Sequence, residues 1–384
     1  MNATDKFIIE ITDLNLDLSV FSEETRARVE SMLRVLQDDL VAEITKADLE
    51  GATENSRRFK ALLREVDSII DGRYAVAAER LGRGLRDASI FTHRRAVASF
   101  NKVFQVDIFR PLLTQADLKA LANTENIIGG LQDEYWKEYS DQAKRRFVRE
   151  MRLGIGAGET NEELIRRIRG GPTGRTINVQ TGNNRVVSVP EYSGGIMDTS
   201  YNEARRLVRT ATLSVGNAAL METYDQFEEV LKGYEAVTTL DHRTSDICMA
   251  RTGAAWNLDG SPMAGSTATG PFPGPPPWHW HCRTVLAPVV KTWDELIQEA
   301  GGKPLGIEDD TVPDSVRASF DGLVSTGKIQ TFDDFLKLRG DEWARSKLGP
   351  TKYRLWESGK ITTQDLIDSY GRSRTVAELM ALAA

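Results

Sequence analysis

Two short stretches, LDHRTSDIC at residues 240–248 and PPWHWHCR at residues 276–283, carry most of the histidine and cysteine of this 384-residue chain. The chain has four histidines and two cysteines, and only His93 lies outside these stretches. Because rare side chains of related chemistry are gathered here, we expect the two stretches to fold back together into one compact corner.

Three interpretations of this corner stay open from the residues alone. The first is a structural zinc site, since zinc prefers thiolate and imidazole ligands. Its ligands would be Cys248, His279 and Cys282, with His242 or His281 as the fourth. The second is a cysteine nucleophile with a histidine base oriented by Asp241, as in a hydrolase or transferase. The third is a packed corner that needs no cofactor.

The sequence around the corner predicts a compact α+β domain over residues 151–290. Alternating residues at 176–180 and 185–189, around a Gly-Asn-Asn turn at 182–184, predict a β-hairpin. A long helix is expected from about Ser200 to Phe227, and a strand at Val237–Leu240. Five prolines within residues 270–277 require an irregular loop. Trp278 and Trp280 flank His279 there, one of the two is expected to be exposed, and this loop is the candidate for a partner contact.

The regions on either side are expected to be helical. Apolar residues at three- and four-residue spacing predict amphipathic helices at 23–48 and 57–108, the first capped by Ser22. Gly82 and Gly84 are expected to interrupt the second helix. The predicted fold is therefore α+β and predominantly α. It has an extended helical N-terminal region (1–150), the central domain (151–290) and a helical C-terminal region (291–384).

Composition excludes a wholly disordered chain, a collagen and a disulfide-stapled miniprotein. Apolar residues make up 40% of the chain and charged residues 27%, which is typical of globular domains. No long apolar stretch is present, so we expect no membrane partner. Two cysteines fit a reducing compartment, in which a disulfide framework is not expected.

The middle of the chain is basic although the whole carries a net charge of −7. Residues 144–209 contain 13 lysines and arginines against 7 acidic residues. Such a stretch could contact a polyanion such as double-stranded DNA without sequence specificity, or an acidic protein surface. The candidate contact residues are Arg145, Arg149, Arg152, Arg166, Arg167, Arg169, Arg205 and Arg209.

The two stretches together resemble the phage Mu protein F-like family, the head morphogenesis or minor head proteins of tailed bacteriophages. The resemblance covers about residues 150–290, and residues 332–366 are similar to the C-terminal segment of such proteins. The residues that carry the central motif are Asp241, Arg243, Thr244, Cys248, Gly253, Pro276, Pro277, His279, Cys282 and Arg283.

This resemblance implies a virion protein without catalytic turnover, located in the head interior or at the portal vertex. Its partners would be the portal protein and the major capsid or scaffolding protein, docked by the N-terminal helices. The family also implies a role in head assembly, DNA packaging or genome ejection.

Two positions depart from the family pattern. Relatives often carry a C-x-x-C pair and end the second stretch in C-R-C, whereas Ser245 and Thr284 stand at two of those positions here. A four-cysteine zinc site is therefore excluded, and histidines would have to complete any metal site. Alternatively, hydrogen bonds alone could hold the corner, with Arg243 paired to Asp241 or Asp246.

Overall fold

A computed structural model of the chain describes residues 2–180, 186–303, 317–318, 324–325 and 331–384. Over these residues the protein is predominantly α-helical with small antiparallel sheets, which confirms the predicted fold class. No helix in the described ranges is long and apolar enough to cross a bilayer. The turn predicted at residues 182–184 lies outside them.

Helices dominate the chain up to residue 226. They are α1 (Ala3–Ala47), α2 (Arg57–Phe104), α3 (Gln115–Thr124), α4 (Gln132–Ala157), α5 (Asn161–Arg169) and α6 (Met197–Gln226). Between α5 and α6, strands β1 (Gly171–Gln180) and β2 (Val186–Ser193) form the predicted antiparallel hairpin, in which Ile177 pairs with Val189. The Thr160 side chain caps α5 in a capping box with Glu163.

A three-stranded antiparallel sheet with strand order β4-β3-β5 follows. It consists of β3 (Leu231–Val237), β4 (Ala255–Asn257) and β5 (Val285–Val290), and the short helix α7 (Asp246–Ala250) lies between β3 and β4 in the chain. The strand predicted at Val237–Leu240 is therefore wrong, because the strand ends where that prediction begins. Polar residues within β3 such as Lys232 and Glu235 concealed it, although the strand pairs on both edges.

Short helices form most of the described C-terminal region, as predicted. They are α8 (Trp293–Glu299), α9 (Phe332–Arg339), α10 (Asp341–Leu348), α11 (Pro350–Glu357) and α12 (Val376–Leu382), with a two-stranded pair of β6 (Arg317–Ala318) and β7 (Val324–Ser325) between α8 and α9. Helix α10 ends before Gly349 and α11 begins at Pro350, because glycine leaves the helical conformation there and proline suits a first helical turn.

The chain divides into two compact units. Unit 1 comprises Met1–Leu18, Ser89–Leu118 and Leu213–Ala384, and unit 2 comprises Ser19–Ala88 and Lys119–Thr212. The core of unit 1 includes an aromatic cluster in which the Phe100 ring lies 4.7 Å from Phe7 and 4.9 Å from Phe227. The division into three regions along the sequence stays a prediction.

Unit 2 contains a helical core whose contacts include a partly buried ion pair. The rings of Tyr74 and Trp136 lie 6.0 Å apart, edge to face, and the Tyr74 hydroxyl hydrogen-bonds to Ser200. Arg146 forms a two-pronged pair with Glu203, both nitrogen–oxygen distances being 2.9 Å. The basic stretch therefore contributes at least one of its arginines to internal packing.

Helix α1 begins about twenty residues earlier than predicted. The apolar stripe continues toward the N-terminus through Phe7, Ile11, Leu14 and Leu18, all of them buried. Ser22 is a buried residue within the helix, so the prediction that it caps the helix is wrong. Long-range packing of the stripe outweighs the local capping preference of serine.

Gly82 and Gly84 do not interrupt α2, contrary to the prediction. A Cβ atom added at Gly84 would lie 2.7 Å from both Cγ2 and Oγ1 of Thr25 on α1. The glycine therefore permits a close approach of two helices inside unit 2.

This contact predicts opposite effects for two neighbouring glycines. Gly84→Ala should destabilise the protein by about 1–3 kcal/mol, because the new methyl group must displace Thr25. Gly82→Ala is the matched control: its Cβ would meet movable side-chain ends of Gln132 and Arg86 at 3.3 and 3.4 Å. Since alanine is favoured over glycine within a helix by about 1 kcal/mol, the control should be neutral or stabilising. Urea unfolding measures both, and a Gly84→Ala protein as stable as the control would contradict the close contact.

Candidate functional site

The two stretches that contain the cysteines meet beside the three-stranded sheet. Strands β3 and β5 run antiparallel with Val237 opposite Val285, so the chain leaving β3 lies beside the chain entering β5. We call residues 238–245 the Asp241 loop. Its last residue, Ser245, caps α7 by accepting a hydrogen bond from the Cys248 amide. The structure thus confirms the prediction that both stretches fold into one corner.

A buried ion pair holds the Asp241 loop to the second stretch. Nη1 and Nη2 of Arg283 donate to the two carboxylate oxygens of Asp241, both at 2.6 Å. Asp241 also accepts a hydrogen bond from the Arg243 amide at 2.8 Å. The Arg243 side chain is exposed and its Nε lies 3.7 Å from Asp241, so Arg283 is the principal partner.

The ionised form of Asp241 is strongly favoured. Burial favours the neutral carboxyl group, but the hydrogen bonds and charge of Arg283 outweigh burial and lower the pKa of Asp241 to about 2. The Thr244 hydroxyl bridges the loop, because it donates to the Thr239 carbonyl and accepts from the Asp241 amide. The loop is therefore fixed by charge-assisted and backbone hydrogen bonds together.

Next to this ion pair lies the Cys–His cluster, which we define as Cys248, His279 and Cys282. The sulfur atoms of the two cysteines are 3.7 Å apart, and Nε2 of His279 lies 3.0 Å from Cys248 Sγ. Both thiols are buried, at 3% and 1% exposure. One potential ligand atom from each residue lies within 4.8 Å of the others. The structure thus brings three of the predicted metal ligands together.

The two thiols differ in acidity. The hydrogen bond to Cys282, with burial, raises the pKa of Cys248 well above its ordinary value. Burial also opposes ionisation of Cys282, but hydrogen bonds from Cys248 and His279 outweigh it and lower the pKa of Cys282. Burial disfavours the charged His279 ring, yet the nearby Cys282 raises its pKa. The cluster therefore favours one thiolate beside one thiol.

The remaining histidines do not join the cluster. His242 is exposed, and its Nε2 lies 3.1 Å from the Ser346 hydroxyl. His281 is exposed and has a positive φ of 61°. Within the described ranges, neither is among the residues whose ligand atoms gather around Cys248. The structure instead places oxygens nearby: Ser245 Oγ is 2.8 Å from His279 Nε2, and Thr284 Oγ1 is 3.2 Å from Cys248 Sγ.

The arrangement expected of a cysteine enzyme is only partly formed. His279 is within hydrogen-bonding distance of Cys248, as a base should be. Its Nδ1, however, lies 2.8 Å from the Trp280 carbonyl, and Asp241 is engaged by Arg283 instead of orienting the ring. The adjoining cavity measures about 10 Å³, which is about the room that one water molecule needs. An organic substrate does not fit there.

Several residues that lie far from the corner in the chain also hold it. The side-chain amides of Asn15 on α1 and Asn217 on α6 donate to the carbonyls of Arg283 and Thr284. From α10, Lys347 Nζ donates to the carbonyls of His242 and Thr244. Since these contacts join residues more than sixty positions apart, no local pattern could have revealed them.

The C-terminal helices also pack against the corner. Lys352 forms an ion pair with Asp246 at 2.6 Å. Leu240 in the Asp241 loop and Met249 in α7 belong to a buried cluster whose other members come from residues 332–379, among them Phe335, Leu336 and Leu348. The C-terminal region therefore forms one side of the corner.

The other motif residues lie in the loop between β4 and β5 or beside it. Gly253 has a positive φ of 77°, and Pro276 and Pro277 are joined by a cis peptide bond. Trp278 is half-buried because the Arg251 guanidinium stacks on its ring at 4.6 Å. Trp280 is also half-buried, so neither tryptophan is a fully exposed anchor.

The eight arginines of the basic stretch do not form one surface. Arg145, Arg149 and Arg152 lie together on α4 and line an open groove of about 660 Å³, which Glu54, Asp67 and Asp141 also line. Many of the eight have internal partners: Arg149 and Arg167 pair with Glu150, Arg205 pairs with Glu30, and Arg169 stacks on Tyr192. Arg166 is exposed on α5, and Arg209 is half-buried on α6.

Comparison with known families identifies the central segment. Residues 146–287 match the family described as phage Mu protein F like protein. This segment of the chain is therefore similar to the phage Mu protein F-like family. No curated protein and no solved structure matches the chain.

The Mu F-like segment runs from α4 into β5 and includes both the Asp241 loop and the Cys–His cluster. The match confirms the resemblance seen in the central motifs. The similarity of residues 332–366 to minor head proteins lies outside the matched segment and stays a prediction.

Proposed function

We propose that this protein is a minor head protein of a tailed bacteriophage, which assembles with the portal and acts in head morphogenesis. The observation that carries the proposal is the Mu F-like match over residues 146–287. The residues most typical of that family in this chain, Asp241, Cys248, His279 and Arg283, form a single buried corner. Packaging or ejection of DNA would be further steps of the same role.

The geometry of the corner supports an architectural role. Its polar groups hydrogen-bond to one another, and the cavity that adjoins them is about one water molecule in size. A hydrolase or transferase would need an open site at which a substrate reaches the nucleophile. The enzyme alternative therefore has less support than assembly.

The charged groove on α4 favours a protein partner over DNA. A duplex presents uniform negative charge, and binding proteins normally meet it with an unbroken basic surface. Here the carboxylates of Glu54, Asp67 and Asp141 lie among the arginines of the groove. A partner surface of mixed charge, such as a portal, major capsid or scaffolding protein, matches it better. Non-specific contact with double-stranded DNA is the second candidate.

Co-expression with the portal protein from the same genome tests the proposal. We expect a tagged full-length chain to retain the portal through affinity purification and size exclusion, with or without nuclease. Disruption of the gene in the phage should produce heads that lack the protein and few infectious particles, and a plasmid copy should restore them.

The results of this experiment distinguish a head protein that binds the portal from a protein that binds DNA. Retention of the portal that disappears after nuclease treatment would identify DNA as the bridge and favour the DNA-binding alternative. Purified virions that contain no copy of this chain by mass spectrometry would reject a head protein altogether. The capsid protein alone, tagged and expressed with the portal, is the control for non-specific capture.

A further inference from the structure

The Cys–His cluster has a spacing that suits a metal ion. In a tetrahedral zinc site with Zn–S bonds of about 2.3 Å, two thiolate sulfurs lie about 3.8 Å apart. The sulfurs of Cys248 and Cys282 are 3.7 Å apart. A disulfide would need about 2.05 Å. The two sulfurs are therefore already at the separation that a shared zinc ion requires.

His279 is held in the orientation that a metal ligand needs. Its Nδ1 lies 2.8 Å from the Trp280 carbonyl, and because a carbonyl only accepts hydrogen bonds, Nδ1 must carry the proton. In the neutral ring, Nε2 then presents its lone pair, and it lies 3.0 Å from Cys248 Sγ. A backbone carbonyl that fixes the far nitrogen in this way is the usual outer-shell partner of a zinc-bound histidine.

The fourth ligand position is next to oxygen atoms. Ser245 Oγ lies 2.8 Å from His279 Nε2, and Thr284 Oγ1 lies 3.2 Å from Cys248 Sγ. The adjoining cavity of about 10 Å³ has the volume of about one water molecule. His281 also lines this cavity, but among the described residues neither His242 nor His281 has a ligand atom in the group formed by Cys248, His279 and Cys282.

We propose that Cys248, His279 and Cys282 bind one Zn²⁺ ion, whose fourth ligand is an oxygen atom of water or of a neighbouring hydroxyl. The ion is structural, since the cavity has no room for a substrate. It connects Cys248 in α7 to His279 and Cys282 in the segment that precedes β5. This inference is independent of the proposed role in the phage head.

Zinc content of the full-length protein tests the site. The chain is expressed with zinc in the medium, purified without chelators under reducing conditions, and measured by elemental analysis. We expect about one zinc per chain. Cys282→Ser and His279→Gln should lose the zinc, whereas His242→Ala and His281→Ala, the matched histidine controls, should retain it. Circular dichroism confirms that each variant is folded.

A second measurement tests the zinc site on the wild-type protein, in case a cysteine variant fails to fold. Cobalt added to the metal-free wild-type protein should give the visible bands of a tetrahedral site and the near-ultraviolet band of thiolate ligation. A chelator should lower the melting temperature, because structural zinc contributes to folding.

Three results would overturn the proposal. One is a folded wild-type chain that binds neither zinc nor cobalt. Another is zinc that remains in Cys282→Ser or disappears from His242→Ala, because the ligand set would then be different. The third is a Cys248–Cys282 disulfide in protein purified under reducing conditions, since it would remove two of the three ligands.

Discussion

Asp241→Ala is expected to lower the free energy of unfolding by about 3–5 kcal/mol, as loss of one partner of a buried ion pair does. The substitution would leave the guanidinium of Arg283 buried without its carboxylate, and the side chains of the pair are only 6% and 14% exposed. It would also remove the acceptor for the Arg243 amide. Chemical denaturation in urea, with a constant m-value, measures the loss.

The control for this prediction is an aspartate in an exposed pair. Asp107 contacts Arg110 at 2.7 Å, but its side chain is 86% exposed. Asp107→Ala should therefore change stability by less than about 1 kcal/mol. Similar losses in the two variants would show that the Asp241–Arg283 pair is not an important part of the corner.

The same ion pair predicts how stability depends on pH. The pKa of Asp241 is about 2 in the folded protein, whereas an unfolded aspartate has a pKa of about 3.9. Because the folded state binds the proton more weakly, the contribution of the pair is complete above about pH 4 and is lost as the pH falls toward 2. Over that range the wild type should lose more stability than Asp241→Ala does.

Phe335→Ala should also cost about 3–5 kcal/mol, because it empties a fully buried position. Phe335 lies in the cluster that joins Leu240 and Met249 to the C-terminal helices, and its ring is 5.3 Å from that of Trp343. Beyond the lost packing, we expect the Asp241 loop to become more mobile, which hydrogen exchange of its amides would show.

Leu338 on the same helix provides the comparison, since its side chain is 58% exposed. Leu338→Ala should leave stability within about 0.5 kcal/mol of the wild type and exchange in the Asp241 loop unchanged. If Phe335→Ala destabilises the chain without altering exchange in that loop, the C-terminal helices do not support the corner.

The features predictable from sequence are those with a local or periodic signal. The long amphipathic helices follow from stripes of apolar residues, and the meeting of the two stretches that contain Asp241 and Arg283 follows from their rare residue types. The pairing of Asp241 with Arg283 was not predicted, since Arg243 was the expected partner. The incorrect predictions have physical causes as well. Ser22 and Gly84 have strong local preferences, but helix packing determines their conformation. Strand β3 has no clear sequence signal, because pairing on both edges stabilises it in spite of its polar residues.

The composition of the corner was only partly predictable. Cys248, His279 and Cys282 come together as the residue types suggested, yet the expected histidine partners do not join them. Contributions from Asn15, Asn217 and Lys347 arise from segments far away in the chain. Such contacts depend on the tertiary arrangement, which spacing within one motif does not encode.

The contact between Asn15 and the Arg283 carbonyl spans 268 residues, and that between Lys347 and the Thr244 carbonyl spans 103. Native pairs so distant in the chain become favourable only after large loops have closed, which slows folding. On the ribosome the helices can form as they emerge, whereas the corner has to wait until Lys347 has been synthesised. The corner is therefore completed later than the helices that precede it in the chain.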